Sequence, residues 1–257
     1  MPGFIDSDLS IFTNKNENGI KLADRLNTVL SNSKYFDVLV GYFRITGFYL
    51  LQNKLEDVEE IRILIGLGAD IETVRAVDIF ELSGSNAVLK IKEVVKEEFN
   101  QTDDDNLDME NGVSKFCEWI NSGKLKIRMC YEQNVHAKLY IVRKNPDIVP
   151  DQFGNLITGS SNFTYNGLDK NIEFNVELKD RHNVEYALDF FNNLWETSKD
   201  VTIDILETIK NDTWMNKNIT PYELFLRTLF VYFEEEIESR KNDYEWPDGY
   251  MLSLIHI

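Results

Sequence analysis

Apolar residues along this chain fall into short dense runs separated by segments of helical spacing. FDVLVGYF (36–43) and IRILIGLG (61–68) are apolar runs of strand length, the second closed by Gly66 and Gly68. Between them, TGFYLLQNKLED (46–57) has a helical pattern, and two buried strands joined by a helix predict a right-handed βαβ unit with parallel strands. Upstream, Ile20, Ala23, Leu26 and Leu30 stand at helical spacing within 17–32. Residues 70–100 read as one or two helices broken near SGSN (83–86), and VSKFCEWINSG (113–123) as a short amphipathic helix ended by Gly123. Four strand candidates follow: KLKIRMC (124–130), VHAKLYIV (135–142), NLITGSSNF (155–163) and IEFNVEL (172–178). RKNPDIVPDQFGN, with Pro146, Pro150 and Gly154, reads as an extended hairpin loop between the second and third. After residue 180 the pattern turns helical, with EYALDFFNNLWETS (185–198) amphipathic and 220–240 the clearest helix. There Thr220 is the N-cap, Pro221 the first helical residue, and Glu223 completes a capping box.

Composition narrows the class. At 257 residues and 43% hydrophobic, the chain suits one large domain or one domain with an appendage. No run is long enough to span a bilayer, and MPGFIDSDLS carries neither a basic segment nor an apolar signal core, so a cytoplasmic protein without membrane contact is expected. Cys117 and Cys130 are too far apart for a CxxC and read as reduced core residues. The few Cys and His do not fall at ligand spacing, so neither a metal nor another cofactor is expected. A net charge of −17 argues against a broad nucleic-acid footprint but leaves room for a small basic site. TDDDNLDMEN (102–111) concentrates part of that charge and reads as a solvated loop.

The chemistry lies in the second and third of the four strand candidates. Side chains alternate along a strand, so His136, Lys138 and Tyr140 point one way, while Val135, Ala137, Leu139 and Ile141 point toward the core. On the next strand Ser160 and Asn162 share a face, and Gly159 leaves room for a close approach to the backbone. Paired as a hairpin, these strands converge an imidazole, an ammonium, a hydroxyl and an amide, a set that suits a phosphate. His136 can attack phosphorus or protonate a leaving oxygen. Lys138 and Asn162 can stabilise equatorial charge, and Glu173 can hold the imidazole tautomer. H-x-K alone is weak, as is GSSN alone; the ordered series H-x-K, GSSN, N-x-E (171–173) is specific.

That series resembles the phospholipase D superfamily, whose signature runs H-x-K, four residues, Asp, then G-S-x-N and a later acidic residue. His136, Lys138, Gly159, Ser160, Asn162 and Glu173 match it. The resemblance covers residues 36 to about 180. It departs at Arg143, where the signature has Asp, and in a longer gap before GSSN. It implies an α/β (α+β) fold, a PLD-like mixed β-sheet flanked by helices over 1–200, with 201–257 a helical extension. It also implies a two-step, metal-free mechanism through a phosphohistidine, with a second His from a second motif copy. His182 and His256 are the other histidines and neither stands in an H-x-K. A catalytic site must then be completed by another chain, most simply a homodimer.

Arg44, past the first strand, is a secondary phosphate-binding candidate, as is Gly159; a surface Arg in a βα turn is the alternative for Arg44. Lys124, Lys126 and Arg128 share a strand face that lines a backbone groove or is merely solvated. TPYELFLRTLF followed by an acidic Trp/Pro segment resembles the N-terminal part of large bacterial Swi/Snf- or restriction-type helicases, which implies a nucleic-acid (DNA) substrate and a C-terminal helicase partner. No GxxxxGK[ST] occurs in this chain. DGYMLSLIHI reads as a cut edge. The expectation is a DNA-cutting phosphodiesterase; a non-catalytic dimerisation and nucleic-acid-positioning module, or a lipid or small-molecule phosphodiesterase revived by an exposed apolar rim, are the alternatives.

Overall fold

A computed structural model describes residues 10–14, 20–66, 107–130 and 135–212. The reading of helices over 70–100 and 220–240 lies outside these residues, as do His256 and the helicase-like segment.

The apolar runs become an eight-stranded mixed sheet in the order β1-β7-β6-β5-β2-β3-β4-β8. The strands are β1 (Ile11–Thr13), β2 (Ser33–Val40), β3 (Glu60–Gly66), β4 (Leu125–Cys130), β5 (Leu139–Lys144), β6 (Gly154–Gly159), β7 (Phe174–Leu178) and β8 (Lys199–Asp200). β2 and β3 pair in parallel, as the βαβ pattern requires, and β4 continues in parallel beside β3. β5, β6 and β7 run antiparallel to their neighbours, with β5 pairing to β2. The ends of β2, β3 and β6 therefore meet the beginnings of β5 and β7 along one edge. The edge strands β1 and β8 were not legible as strands; each is short and held only by its partner.

Both faces of the sheet are buried, which is why its central strands are continuous apolar runs. On one face lie α1 (Leu22–Val29), α2 (Ile45–Tyr49), α3 (Gln52–Leu55), α4 (Leu107–Asn121) and α6 (Thr202–Asp212). α6 contributes Ile205, Leu206 and Ile209 to that core. The other face is covered, among the described residues, by α5 (Arg181–Thr197) through Val184, Ala187, Phe191, Leu194 and Trp195. Asp180 caps α5 by accepting from the Asn183 amide, so neighbouring His182 is an exposed first-turn residue. Gly123 sits at φ 77°, the left-handed turn expected beyond a helix end. Cys117 and Cys130 are both buried and free, and burial pushes the Cys117 thiol up.

The strand boundaries correct the sequence reading in one respect. β5 starts at Leu139 and β6 stops at Gly159, so His136, Lys138, Ser160 and Asn162 lie just beyond the strand ends, not within strands. Tyr140, on the His136 side, is fully buried in the larger core, so that side is a core face rather than an open one.

Candidate active site

Four chain segments meet at the sheet edge: 41–44 after β2, 135–138 before β5, 160–163 after β6, and 171–173 before β7. Two phenylalanines lock the first and third together. Phe163, 1% exposed, stacks on Phe43 with ring centroids 5.6 Å apart, the two form an isolated parallel bridge, and the Arg44 amide donates to the Phe163 carbonyl at 2.9 Å. Asn162 is thereby set beside Tyr42, whose amide donates to Asn162 Oδ1 at 3.1 Å. That bond fixes the amide's orientation and leaves its Nδ2 to donate elsewhere.

Gly41 is the centre of the arrangement. A Cβ at this position would lie 3.5 Å from His136 Cδ2, 3.7 Å from Asn162 Oδ1 and 3.7 Å from Lys138 Nζ. An imidazole, an amide and an ammonium thus gather around the one residue of β2's exit that has no side chain. Lys138 is 5% exposed, with Nζ 3.0 Å from His136 Nε2 and 3.2 Å from Nδ1, and it donates to the His136 carbonyl at 3.1 Å. The ammonium reaches whichever ring nitrogen is unprotonated. His136 itself is exposed.

Ser160 and Glu173 form the outer part. Ser160 Oγ donates to Glu173 and accepts from the Phe174 amide at 3.1 Å, tying the end of β6 to the start of β7. Beneath them, Tyr140 donates to the Ser161 carbonyl at 2.9 Å. Burial, and then the Glu173 carboxylate, raise the Tyr140 phenol well above its ordinary range. The space beside Gly159 is filled by β7: a Cβ there would lie 2.2 Å from the Phe174 carbonyl and 2.5 Å from Asn175 Oδ1. Gly159 lets two strands close up, whereas the sequence reading assigned that room to a phosphate.

Arg44 caps the start of α2, stacks over Tyr42 at 5.2 Å and donates to the Tyr42 hydroxyl at 2.7 Å. A second such pair lies nearby: Lys170 stands 4.9 Å over Tyr165, whose amide lies 3.5 Å from Thr46 Oγ1 at the start of α2. The cations of 124–128 are engaged elsewhere. Lys124 lies over Trp119, Lys126 pairs with Glu60, and Arg128 donates to the Trp195 carbonyl. Sequence reasoning passed over Gly41, Tyr42, Phe43 and Phe163; the glycine interrupting the apolar run 36–43 was the available signal.

Arg143, at the signature's Asp position, is engaged on the α5 side of the sheet. It donates to Asp37 Oδ2 from Nη2 at 3.0 Å, while Arg62 donates to Asp37 Oδ1 at 2.5 Å. Asp37 is 1% exposed between these two guanidinium groups, under α5, where Arg62 stacks on Phe191 and Trp195.

Residues 30–195, the span that carries this site, match the family model described as "Cardiolipin synthase, PLD-like domain". The chain belongs to that PLD-like family. Among solved structures, this PLD-like chain is similar to NucT from Helicobacter pylori (11% identity, 74% of this chain and 97% of that one, TM-score 0.40). It is also similar to the phospholipase D family member Nuc from Salmonella typhimurium (18% identity, 74% and 95%, TM-score 0.40). A third likeness is to phosphatidylserine synthase from Haemophilus influenzae (14% identity, 85% and 44%, TM-score 0.44). No curated protein matches the chain. These likenesses leave the choice of substrate to the chemistry of the site.

Proposed function

We propose that this PLD-like domain is a metal-independent phosphodiesterase that cuts DNA through a phosphohistidine on His136. The observation that carries the reading is the gathering of His136, Lys138 and Asn162 around Gly41. An imidazole nitrogen of His136 attacks phosphorus, and the bond from phosphorus to the leaving oxygen breaks. Lys138 and Asn162 Nδ2 hold the equatorial oxygens while charge shifts onto them. The leaving oxygen takes a proton from His136 of a second copy. That same imidazole then removes a proton from water, whose oxygen displaces His136 from phosphorus and releases the phosphomonoester. Ser160 and Glu173 set the loop that presents Asn162, and Glu173 orients the imidazole. The Arg44–Tyr42 and Lys170–Tyr165 pairs offer cations and aromatic faces beside the site, a combination suited to a nucleotide chain. Arg143, where the signature has Asp, is bound to Asp37 on the α5 side, which supports a structural role for that position.

One observation favours a second reading. Ile172 and Phe174, on either side of Glu173, are 74% and 55% exposed, an apolar rim that suits a lipid phosphodiester. Helicase association rests on the sequence resemblance alone.

The test is cleavage in EDTA of single-stranded DNA, duplex DNA, a chromogenic phosphodiester and a micellar phospholipid. Cleavage of DNA that survives chelation and falls by about 10³-fold or more in His136→Ala is the expected result. DNA bound but uncut by a folded dimer leaves the positioning-module function; preference for the phospholipid selects the lipid reading.

A further inference from the structure

Acidic residues outnumber basic ones in this chain by 44 to 27, so a cation without a carboxylate partner is conspicuous. Among the described arginines, Arg25 pairs with Glu177, Arg62 and Arg143 with Asp37, Arg128 with Asp200 and Arg181 with Glu185. Arg44 has no carboxylate partner among the described residues; its contacts are to Tyr42. Lys170 has none there either and stands over Tyr165. Asp169, the acid next to Lys170 in the chain, is held by Lys21 at 2.8 Å.

Arg44 is nonetheless ordered. Phe43 and Ile45 are 7% and 4% exposed, whereas Tyr42 and Arg44 are half-buried, so in this extended stretch the latter two leave on the open side. The guanidinium stacks on the Tyr42 ring and donates from Nε to its hydroxyl at 2.7 Å. No described residue accepts from its two terminal nitrogens, which form a fork that fits two phosphate oxygens. The Tyr42 amide donates to Asn162 Oδ1, so the fork is registered to the amide of the His136 site. At about 3.3 Å per extended residue, Arg44 stands roughly 10 Å along the chain from Gly41, beside the scissile phosphate and not on it. The row continues. Thr46, two residues past Arg44, lies against the Tyr165 amide, and Lys170 is 4.9 Å over the Tyr165 ring.

We propose that Arg44, ordered by Tyr42, is a second phosphate subsite, which takes the phosphate next to the scissile one along a polynucleotide strand, with Tyr165 and Lys170 carrying the strand onward. The proposal rests on the phosphodiesterase reading of the His136 site, and it names what makes a polynucleotide a better substrate there than an isolated phosphodiester. Rings and cations in alternation suit a nucleotide chain, whose bases stack while its phosphates pair. A single strand meets only this row, whereas an anionic bilayer faces the net −17 of the whole chain.

The test is binding of a fluorescent single-stranded oligodeoxynucleotide in EDTA across a salt series. It uses the 257-residue chain carrying His136→Ala, so that the strand stays intact, with and without Arg44→Met. Cleavage of the same strand and of a chromogenic phosphodiester is measured with His136 present. Arg44→Met should weaken DNA binding about tenfold. It should also make the salt slope shallower by about 0.7, the share of one phosphate contact on a single strand. The ratio of kcat/KM on DNA to that on the chromogenic phosphodiester should fall about tenfold as well. Arg44→Lys should recover the salt slope and only part of the affinity, because an ammonium keeps the charge without the fork. If Arg44→Met does not fold, Tyr42→Phe decides: affinity should fall about threefold with the salt slope kept, since the guanidinium loses its anchor and not its charge. No loss in that variant overturns the subsite. An unchanged slope in folded Arg44→Met, or equal losses on DNA and on the chromogenic phosphodiester, overturns it too. So does binding to phosphatidylglycerol vesicles that Arg44→Met abolishes while DNA binding stands. If Arg44→Met lowers DNA affinity and slope but the wild type cuts nothing, the subsite stands and the phosphodiesterase reading falls. DNA cut as well by Arg44→Met as by wild type does the reverse.

Discussion

Gly41 shows how much of this site depends on an absent side chain. His136, Lys138 and Asn162 share the space its Cβ would border, all at ordinary contact distance. Gly41→Ala should therefore be tolerated, whereas Gly41→Val drives a methyl into the space that His136, Lys138 and Asn162 share. The expected loss for Gly41→Val is about 10²-fold in kcat/KM, the scale of a misplaced substrate, with little change in thermal unfolding; steady-state cleavage of the chromogenic phosphodiester checks both. Tyr140 has a different signature. Its folded-state phenol is held well above 10 by burial first and by Glu173 second. A raised pKa means the folded protein keeps a proton that the unfolded chain releases above pH 10. Stability from this group is thus complete below that pH and drains away as pH rises further. Tyr140→Phe should flatten the alkaline limb of a denaturation profile. At neutral pH it should cost about 1 kcal/mol for the lost bond to Ser161.

Among elements, β2, β3 and β5 are joined by more than their ladders. Asp37 on β2 accepts from Arg62 on β3 and Arg143 on β5, and α5 closes over the group with Phe191 and Trp195. Removing the shared carboxylate strands two cations under a helix. Asp37→Ala should cost about 3–5 kcal/mol in urea unfolding. Arg143→Met removes only one of the two partners and should cost less. Its specific activity should match wild type, because this network lies on the sheet face away from His136. A large drop in kcat for folded Arg143→Met would mean that position 143 acts on the site after all. A second buried pair, Arg25 with Glu177, joins α1 to β7, where Asn155 donates to the same carboxylate.

For the whole molecule, the decisive count is one H-x-K per chain. If two copies each supply His136 to a site, a mixed dimer of wild type and His136→Ala cannot complete the reaction. After subunit exchange at equal amounts, activity should fall to about one quarter of the all-wild-type value, since a dimer draws both chains at random. Independent sites would leave about one half by the same counting. The titration curve, quadratic or linear in wild-type fraction, distinguishes them.

The apolar runs 36–43 and 61–68 were legible because burial on both sheet faces leaves continuous apolar strands, α5 because it buries one stripe at helical spacing, and the hairpin because Pro146, Pro150 and Gly154 mark a loop. The residues His136, Lys138, Ser160, Asn162 and Glu173 stood out in the chain because their order matches the signature of the PLD-like family. Their arrangement did not. Which strands end together depends on sheet order, and β5 reaches β2 only through a pairing that spans about a hundred residues of chain. That pairing brings Gly41 beneath His136. The tight approach of β7 to β6 likewise reassigns Gly159 from ligand contact to backbone packing. Arg143 carried no sign of its partner, because Asp37 lies in an apolar run where a charge looks misplaced until two guanidinium groups from separate strands meet it. Sequence order selects the chemistry; the long-range register of the sheet decides which of those groups touch.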